Sequence, residues 1–407
     1  MANVSSSNGL EKYPKLRFPG FDEPYIECRI GDIYSERSQR GADDMELLSV
    51  TLNDGVMPRS EIEGKDNSSK DKSNYKVVCK GDMVYNSMRM WQGANGVSDY
   101  DGIVSPAYTV LMPNKEIDNR YFAALFKTPN LINEFRKNSQ GLTSDTWNLK
   151  YPQIRSIRLY IPSLQEQHKI SAFISTLEER IGIQRQLVDS LKKYKRGVFE
   201  AVFSQKLRLV PTELQKPWKQ YKLSDFATRV TRKNGNQTDI PLTISAQYGL
   251  IDQRDFFSKM VASTDMSGYY LLQKGEFAYN RSTSNEYPFG SIKRLELYPM
   301  GAVSTLYLCF AIKEEVVNSD LAKWYFESSQ WYKGINNICA EGARNHGLLN
   351  VPTDGFFNTV HTLPSDPNEQ LAVVDYLSNI QKKYEAAQRC LQAIENLRSG
   401  LLQQLFI

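Results

Sequence analysis

The chain has 407 residues, of which 24% are charged and 11% are aromatic. This length predicts two or three domains with a buried core in each, and no apolar run approaches the roughly 20 residues of a membrane helix. The 50 basic and 46 acidic residues leave a net charge of +4, which permits a nucleic-acid ligand but does not by itself indicate one. The polar N-terminus lacks the pattern of a signal peptide, and we expect a cytoplasmic protein.

The first half of the chain predicts a lead-in followed by an α+β domain. Residues 1–20 form the lead-in, and residues 21–162 form the domain, which we call the first head. Its apolar runs "ELLSVTL" and "YKVVC" are typical of strands, and residues near 119–137 are typical of a helix.

Residues 163–207 predict a first long helix. Ser163 is followed three residues later by Glu166, which is the pattern of a capping box. Apolar residues then recur at multiples of seven, which favours a coiled-coil seam over a helix that lies on a sheet. The seam positions are Ile170, Leu177, Leu191 and Val198.

The second half of the chain repeats this order. Residues 208–364 predict a second α+β domain, the second head, with the strands "PLTISA" and "STLYLCFAI" and a helix near 318–334. "KGDMVYN" at 80–86 matches "KGEFAYN" at 274–280, and "GIVSPAY" at 102–108 matches "GAVSTLY" at 301–307. Offsets that hold or rise slowly in chain order indicate an internal duplication.

Residues 365–407 predict a second long helix that copies the first. Asp366 and Glu369 form the matching capping box, with Pro367 at the first helical position. Gly197 and Gly400 occupy the same position in the two helices, where glycine costs about 1 kcal/mol relative to alanine. We interpret them as bends or close-packing points, with the end of each main helix as the alternative. The matching seam positions are Val373, Ile380, Ile394 and Leu401.

Antiparallel pairing of the two helices would separate two similar heads as a pseudo-twofold internal repeat. The alternative is ordinary packing of each helix within its own domain.

Polar loops in both heads carry the side chain types that recognise DNA. Arginine can bond guanine bidentately, asparagine and glutamine can bond adenine, and all three can bond phosphate. The aligned loops differ while their strands match, which favours two heads that read different sequences; polar loops that are merely solvated are the alternative. The candidates are Arg89, Trp91, Gln92, Asn95, Thr143, Asn148 and Lys150 in the first head, and Arg281, Thr283, Asn285, Arg344 and Asn345 in the second.

The sequence offers little for catalysis. It has no phosphate-binding loop, no dinucleotide fingerprint, no DNA methylase signature of Asn or Asp with two prolines and an aromatic, and no His/Cys set with metal-ligand spacing. The nearest candidate is "EIEGK", where Glu63 and Lys65 follow Asp54 in the manner of a magnesium-dependent nuclease. The second head has no counterpart of this string, so we do not expect "EIEGK" to be a nuclease site.

The helix segments resemble the specificity subunits of type I restriction-modification systems. The resemblance is carried by "IPSLQEQHKISAFISTLEERI" and "SLKKYKRGVFEAVFS", which return as "LPSDPNEQLAVVDYLSNI" and "LRSGLLQQLF", and by "YPKLRFPGF" near the start. It covers nearly the whole chain, but it gives no guidance on individual residues of the head loops.

The resemblance implies a non-catalytic subunit in which each head is a target recognition domain for one half of a bipartite DNA site. The seam residues, with Gly197 and Gly400, would form the spacer and dock two modification subunits, and restriction subunits would join through these. S-adenosylmethionine, ATP and magnesium would be held by the partners and not by this chain. A self-sufficient nuclease or methyltransferase, a coiled-coil scaffold and a system that only methylates are the alternatives.

Overall fold

The structure, a computed structural model, divides the chain into two compact units. One contains Met1–Arg185 and Arg389–Ile407, and the other contains Gln186–Gln388. In the part of the chain that is described, no helix is both long enough and apolar enough to cross a bilayer. The described residues are 13–41, 44–52, 54–64, 66, 68–143, 146–245, 248–256, 265–339 and 347–407.

The first unit is an α+β structure of short strands and helices. Its strands are β1 (Ile26–Arg29), β2 (Tyr34–Glu36), β3 (Leu48–Thr51), β4 (Gly55–Pro58), β5 (Lys76–Val78), β6 (Met83–Asn86), β7 (Asn95–Val97), β8 (Gly102–Val104), β9 (Tyr108–Pro113) and β10 (Arg158–Ile161). Its helices are α1 (Ile30–Ile33), α2 (Asn119–Leu125), α3 (Pro129–Asn138), α4 (Tyr151–Ile154) and the long α5 (Leu164–Phe203), which continues into the second unit. Two 3-10 turns lie at Arg59–Glu61 and Met90–Gln92.

An antiparallel sheet with the order β2-β9-β6-β7 forms the centre of the first head, and the pairs β1-β10, β3-β4 and β5-β8 accompany it. Successive side chains of a strand point to opposite faces. Met83 and Tyr85 therefore enter the larger core with α2 and α3, while Val84 enters a smaller core with the β3-β4 hairpin. Both faces of the central sheet are thus covered.

The second unit repeats the first, strand for strand. Its central sheet has the order β12-β19-β16-β17, and its pairs are β11-β20, β13-β14 and β15-β18, so every strand number is raised by ten. The strands are β11 (Lys219–Lys222), β12 (Ala227–Val230), β13 (Leu242–Ser245), β14 (Gly249–Asp252), β15 (Tyr270–Gln273), β16 (Phe277–Asn280), β17 (Ser291–Arg294), β18 (Met300–Val303), β19 (Leu308–Ile312) and β20 (Val360–Leu363). The helices are α6 (Leu223–Phe226), α7 (Gln253–Phe256), α8 (Ser319–Phe326), α9 (Tyr332–Ile338), α10 (Thr353–Phe357) and the long α11 (Pro367–Leu405), and a 3-10 turn lies at Thr212–Leu214.

The helix expected near 119–137 is two helices, α2 and α3. Pro129 opens α3, and the residue before a proline is driven out of the helical region, which places Thr128 in an extended conformation. The helix expected near 318–334 is likewise divided into α8 and α9. The duplication thus preserves the break even though the second head has no proline at that position.

The two long helices pair antiparallel, as predicted. In the first unit, rising residue numbers of α5 meet falling residue numbers of α11. The polar pairs along them are Arg185–Glu395 (2.6 Å) and Arg398–Glu178 (3.3 Å) in the first unit, and Lys195–Gln381 (2.8 Å) in the second. The α+β fold with an internal repeat and a pair of long antiparallel helices is confirmed.

The predicted capping boxes are only half formed. The Glu166 amide donates to Ser163 Oγ (3.4 Å), but the Glu166 carboxylate accepts from Arg17 Nε and Nη2 (2.9 and 2.8 Å). Glu369 likewise accepts from Arg208 Nε and Nη2 (2.6 and 2.9 Å). The glutamates therefore bind an arginine from a preceding segment and do not cap their own helix.

The same contacts surround both ion pairs. The Arg17 guanidinium lies over the Tyr25 ring (5.3 Å), and the Arg208 guanidinium lies over the Trp218 ring (5.5 Å). The next glutamine of each helix also repeats its hydrogen bonds, since the Asp118 amide donates to Gln167 and the Asn318 amide donates to Gln370. These contacts fasten each head to the start of its long helix.

The predicted seam has two environments. Near the starts of both long helices, and at Val198 near the end of α5, the seam residues pack into the head cores, and those between are half-buried. Ile170 is buried in the core of the first head, Val373 and Ile380 are buried in that of the second, and Leu177, Leu191 and Ile394 are half-buried.

Gly197 and Gly400 lie within continuous helices, so neither ends its helix. Among the described residues, a Cβ at either position would have no neighbour within 4 Å beyond its own helical turns and adjacent residues. They are therefore not close-packing points within this chain.

Candidate nucleic-acid interface

In each head, three segments meet at one edge of the central sheet, where β6 or β16 ends and the paired strand β9 or β19 begins. In the first head they are 87–94, 105–107 and the described residues of 140–150, joined by bonds from the Ser87 amide to the Ala107 carbonyl (3.0 Å) and from the Leu149 amide to the Ser87 carbonyl (2.8 Å). In the second they are 281–290, 304–306 and 347–349. We call these three segments the loop edge of each head. It brings together the two polar clusters that the sequence predicted separately.

The turn at Met90–Gln92 presents the first predicted group of side chains. Arg89 is exposed, and its Nη1 donates to Gln92 Oε1 (3.3 Å). Trp91 donates to the Met88 carbonyl (3.0 Å) and meets the Trp147 ring edge to face, with centroids 5.3 Å apart. The tryptophan contact fixes the turn against segment 140–150, which leaves Arg89 and Gln92 as an exposed polar pair.

Arg136 adds a further cation here, with its guanidinium 5.9 Å from the centre of the Trp91 ring. Among the second predicted group, Thr143 and Lys150 are exposed. Asn148 is half-buried, and its backbone pairs with Gln140 in both directions (2.8 and 3.0 Å). Among the described residues of this loop edge Arg89 and Lys150 are cations, and Arg136 lies beside them.

Asn95 does not fit the prediction that it contacts DNA. It is 0% exposed, its backbone lies in β7, and its Nδ2 donates to the Gly93 carbonyl (3.1 Å). A side chain enclosed in this way is not open to a base edge, and its hydrogen bond joins it to the preceding loop. Residue type alone could not distinguish the buried Asn95 from the exposed Gln92.

The loop edge of the second head is held by main-chain bonds instead of an aromatic pair. The Thr283 amide and hydroxyl both donate to the Gly347 carbonyl (2.7 and 3.1 Å), and the Leu349 amide donates to the Arg281 carbonyl (3.0 Å). Arg281 Nη2 donates to the Leu306 carbonyl (2.9 Å), and Asn285 is exposed. The predicted residues Arg344 and Asn345, with the neighbouring His346, lie outside the described residues.

Beside each loop edge lies a shared polar cluster that the sequence analysis did not predict. In the first head Tyr108 Oη and Ser49 Oγ are hydrogen bonded (2.9 Å), and the Met88 amide donates to Asn86 Oδ1 (3.0 Å). Asn86 and Tyr108 are register partners on β6 and β9, so their side chains share one face.

The second head holds the same contacts. Tyr307 Oη and Thr243 Oγ1 are 3.5 Å apart, and the Ser282 amide donates to Asn280 Oδ1 (3.0 Å). Asn280 and Tyr307 lie one position beyond the paired Tyr279 and Leu308. The signal was present in the sequence, since "VYN" and "AYN", and "GIVSPAY" and "GAVSTLY", were the matched strings that revealed the duplication.

The shared cluster of the first head faces a cleft of about 590 Å³. Polar groups dominate its lining, and one end is formed by Arg59 and Asp66. Arg59 donates to the carbonyls of Ile62 and Gly64 (2.6 and 3.1 Å). The cluster residues on its wall are Ser49, Asn86 and Tyr108, with Arg89 at the loop.

Nothing in the described residues assembles a metal centre. No group of three or more His, Cys, Asp or Glu side chains among them could hold an ion. Of the nuclease-like string, Asp54 accepts from Thr51 in a turn, Glu63 is exposed, and Lys65 lies outside the described residues.

Residues 29–193 match the family model of the type I restriction modification DNA specificity domain. A curated relative, the type I restriction enzyme HindI specificity subunit of Haemophilus influenzae, is 27% identical over 134 residues. That match covers 31% of this chain and 29% of the relative, so the chain spans less than a third of the length of the curated relative it matches.

Two solved structures share the fold over nearly the whole chain. The S subunit of a type I restriction-modification system from M. genitalium has a TM-score of 0.56 at 13% identity, covering 97% of this chain and 99% of that chain. A structure concerned with complex assembly and conformational transition of the type I R-M system has a TM-score of 0.56 at 14% identity, covering 96% and 99%. At such identities the likeness concerns the fold. The match of residues 29–193 to the family model agrees with the resemblance of the helix segments.

Proposed function

We propose, from the membership of residues 29–193 in the type I restriction modification DNA specificity domain family, that this chain is the DNA sequence-recognition subunit of such a system. Each head reads one half of a bipartite site, and the antiparallel helices set the distance between the halves. The chain itself is not an enzyme in this proposal. A subunit that acts on cellular DNA belongs in the cytoplasm.

The observation that carries the proposal is the duplicated loop edge with unlike loops. Both heads hold the same strand order, yet the first presents an arginine-glutamine turn on paired tryptophans and the second presents a Thr283–Gly347 junction. A duplicated reader of one sequence would gain nothing from such divergence. Two different half-sites require it.

Base and phosphate contacts are assigned to the exposed and half-buried members of each loop edge. In the first head we assign them to Arg89, Gln92 and Lys150, supported by Trp91 and flanked by Thr143. In the second head we assign them to the group Arg281, Thr283 and Asn285, with Arg344 and Asn345 as further predicted contacts. Asn95 and Asn148 shape the loops that present these side chains.

Catalysis is assigned to partners. Two modification subunits would dock on the long helices and would hold S-adenosylmethionine for adenine methylation. Restriction subunits would join through them and use ATP and magnesium. On the helices, the half-buried Leu177, Leu191 and Ile394 would form the spacer seam, and the open surface at Gly197 and Gly400 faces outward for a partner.

The decisive experiment is modified-base sequencing of host DNA with and without this gene, in the presence of the modification subunit gene. We expect adenine methylation at one bipartite motif, and its loss when this chain is absent. Exchanging the first head for an unrelated one should change one half-site and leave the other intact. Methylation or cleavage by the isolated chain would contradict the proposal, as would a motif indifferent to the exchange.

The spacer role has a separate test. Four residues inserted at matching positions of α5 and α11 lengthen each helix by about 6 Å, close to the rise of two base pairs. We expect one or two more unread base pairs between unchanged half-sites. The same insertion in the exposed segment 69–71 should leave the spacing unchanged. A motif that keeps its spacing after the helix insertions would refute the proposal that the long helices set the distance between the half-sites.

A further inference from the structure

The duplication has left one polar cluster of the loop edge nearly unchanged while the surrounding loops have diverged. We propose that Ser49, Asn86 and Tyr108 in the first head, and Thr243, Asn280 and Tyr307 in the second, each bind a phosphate of the DNA backbone. The cluster would act as an anchor that does not depend on sequence. This inference rests on the proposed function, and it assigns the backbone contacts of the site.

Geometry gives the cluster donors for a phosphate oxygen. A hydroxyl has one donor and can accept two bonds, so Ser49 can donate to Tyr108 Oη while the tyrosine hydroxyl donates outward. Asn86 uses its Oδ1 to accept from the Met88 amide, which orients its two Nδ2 donors away from that bond. Thr243 and Tyr307, with Asn280, reproduce this arrangement.

Exposure is consistent with a ligand. Both tyrosines and both hydroxyl partners are half-buried, so their polar atoms are held by the fold but are not sealed within it. In the first head the group lines the wall of the cleft beside Arg89. In the second, Arg281 Nη2 bonds the carbonyl of Leu306, the residue before Tyr307. An arginine therefore stands next to the cluster in each head.

Phosphate is the ligand that two unlike half-sites have in common. Bases differ between the half-sites, and the loops differ with them. The phosphate backbone is the same everywhere, and neutral hydroxyl and amide groups commonly bond it. The hydrogen bond between Ser49 and Tyr108 would also persist in both heads if it merely fastened the β3-β4 hairpin to β9. The experiment must therefore separate phosphate binding from this structural role.

The test uses Tyr108→Phe, Tyr307→Phe and the double variant, each in the full chain assembled with its modification subunit. Phenylalanine keeps the ring packing and removes only the hydroxyl. We expect a roughly tenfold weaker affinity for each substitution, equal for matched and mismatched DNA, with an unchanged methylation motif. Because the hydroxyl is neutral, the salt dependence of binding should not change, whereas Arg89→Ala should reduce its slope by about one phosphate contact.

Matched controls are Tyr100→Phe and Tyr248→Phe, exposed tyrosines of the two heads outside the cluster. Their affinities should equal that of the wild type. A second measurement replaces single DNA phosphates by neutral methylphosphonates. Wild-type binding should weaken at one position in each half-site, and the matching tyrosine variant should be insensitive at that position alone.

Binding by Tyr108→Phe and Tyr307→Phe within twofold of the wild type would overturn the anchor, as would a loss confined to matched DNA. If a variant fails to fold, the wild-type methylphosphonate scan decides, and the absence of a sensitive phosphate in either half-site overturns the anchor. A wild-type complex that shows no sequence-specific binding defeats the proposed function instead. Specific wild-type binding whose affinity is unchanged in Tyr108→Phe and Tyr307→Phe defeats the anchor alone.

Discussion

Replacing Arg17 with methionine should destabilise the first unit by about 3–5 kcal/mol. The Glu166 side chain is 1% exposed, and its carboxylate accepts two bonds from Arg17 and one from Tyr25 Oη (3.4 Å). Hydrogen bonding to Glu166 also raises the pKa of the Arg17 guanidinium. Without Arg17 a buried carboxylate is left without its cation.

The magnitude depends on burial, and the chain contains a matched control. Arg158 and Glu27 also form an ion pair (3.0 Å), but their side chains are 68% and 41% exposed. Arg158→Met should therefore cost less than about 1 kcal/mol. Combining Arg17→Met with Glu166→Met removes both charges and should recover much of the loss, because a buried pair is worth less than the penalty of breaking it.

Hydrogen exchange read by mass spectrometry suits this measurement, because a two-unit chain has no single free energy of unfolding. Peptides from residues 164–178 should exchange faster in Arg17→Met, while peptides of the second head should keep their wild-type rates. Arg208→Met should give the reverse pattern. An effect of Arg17→Met below 1 kcal/mol, or equal to that of Arg158→Met, would refute the role of burial.

Two further predictions concern the second head and the long helices. Burial lowers the pKa of His361 to about 4, so below pH 6.5 the unfolded chain takes up the proton first and stability falls as the pH is lowered. The loss of stability should approach about 3 kcal/mol at pH 4. His361→Leu copies Leu159, which holds the same position in the first head. Denaturation at pH 7, 5.5 and 4.5 should show that this variant lacks the corresponding fall in stability with pH. Gly197→Ala and Gly400→Ala should each raise helix stability by up to about 1 kcal/mol, because a Cβ meets no described neighbour there, and a lowered melting temperature of either variant would contradict that open space.

The repeat and the long helices could be predicted because their signals are local and long. A seven-residue apolar pattern over five turns or more leaves few other structures available. The partner of Glu166 could not be predicted in this way. A serine followed three residues later by a glutamate suits a capping box equally well, and Arg17 lies 149 residues away in sequence. Only the fold decides which group reaches the carboxylate.

The candidate site was predicted in outline and missed in detail. Polar residue types located the two loops of the first head, but the bond from Leu149 to Ser87 that joins them is set by tertiary structure. Asn95 was included because asparagine can bond adenine, although it sits on a strand and is enclosed. The shared cluster around Tyr108 gives a different signal, since its members lie in strings that match between the heads, whereas the predicted DNA contacts lie in loops that differ.

The duplication extends upstream of residue 21, so part of the lead-in belongs to the repeated unit. Lys15, Leu16 and Arg17 reappear as the segment 206–208. The Leu16 amide donates to the Gln404 carbonyl (2.9 Å), and the Leu207 amide donates to the Ala201 carbonyl (2.9 Å); residues 201 and 404 are related by the same offset of 203 that relates Glu166 to Glu369. In both units this segment therefore joins the last turns of one long helix to the first turn of the other. The arginine of that segment is the one that neutralises the buried glutamate, so the ion pair is part of the repeated unit itself. Loss of Arg17 should therefore affect the first head in the same way as loss of Arg208 affects the second.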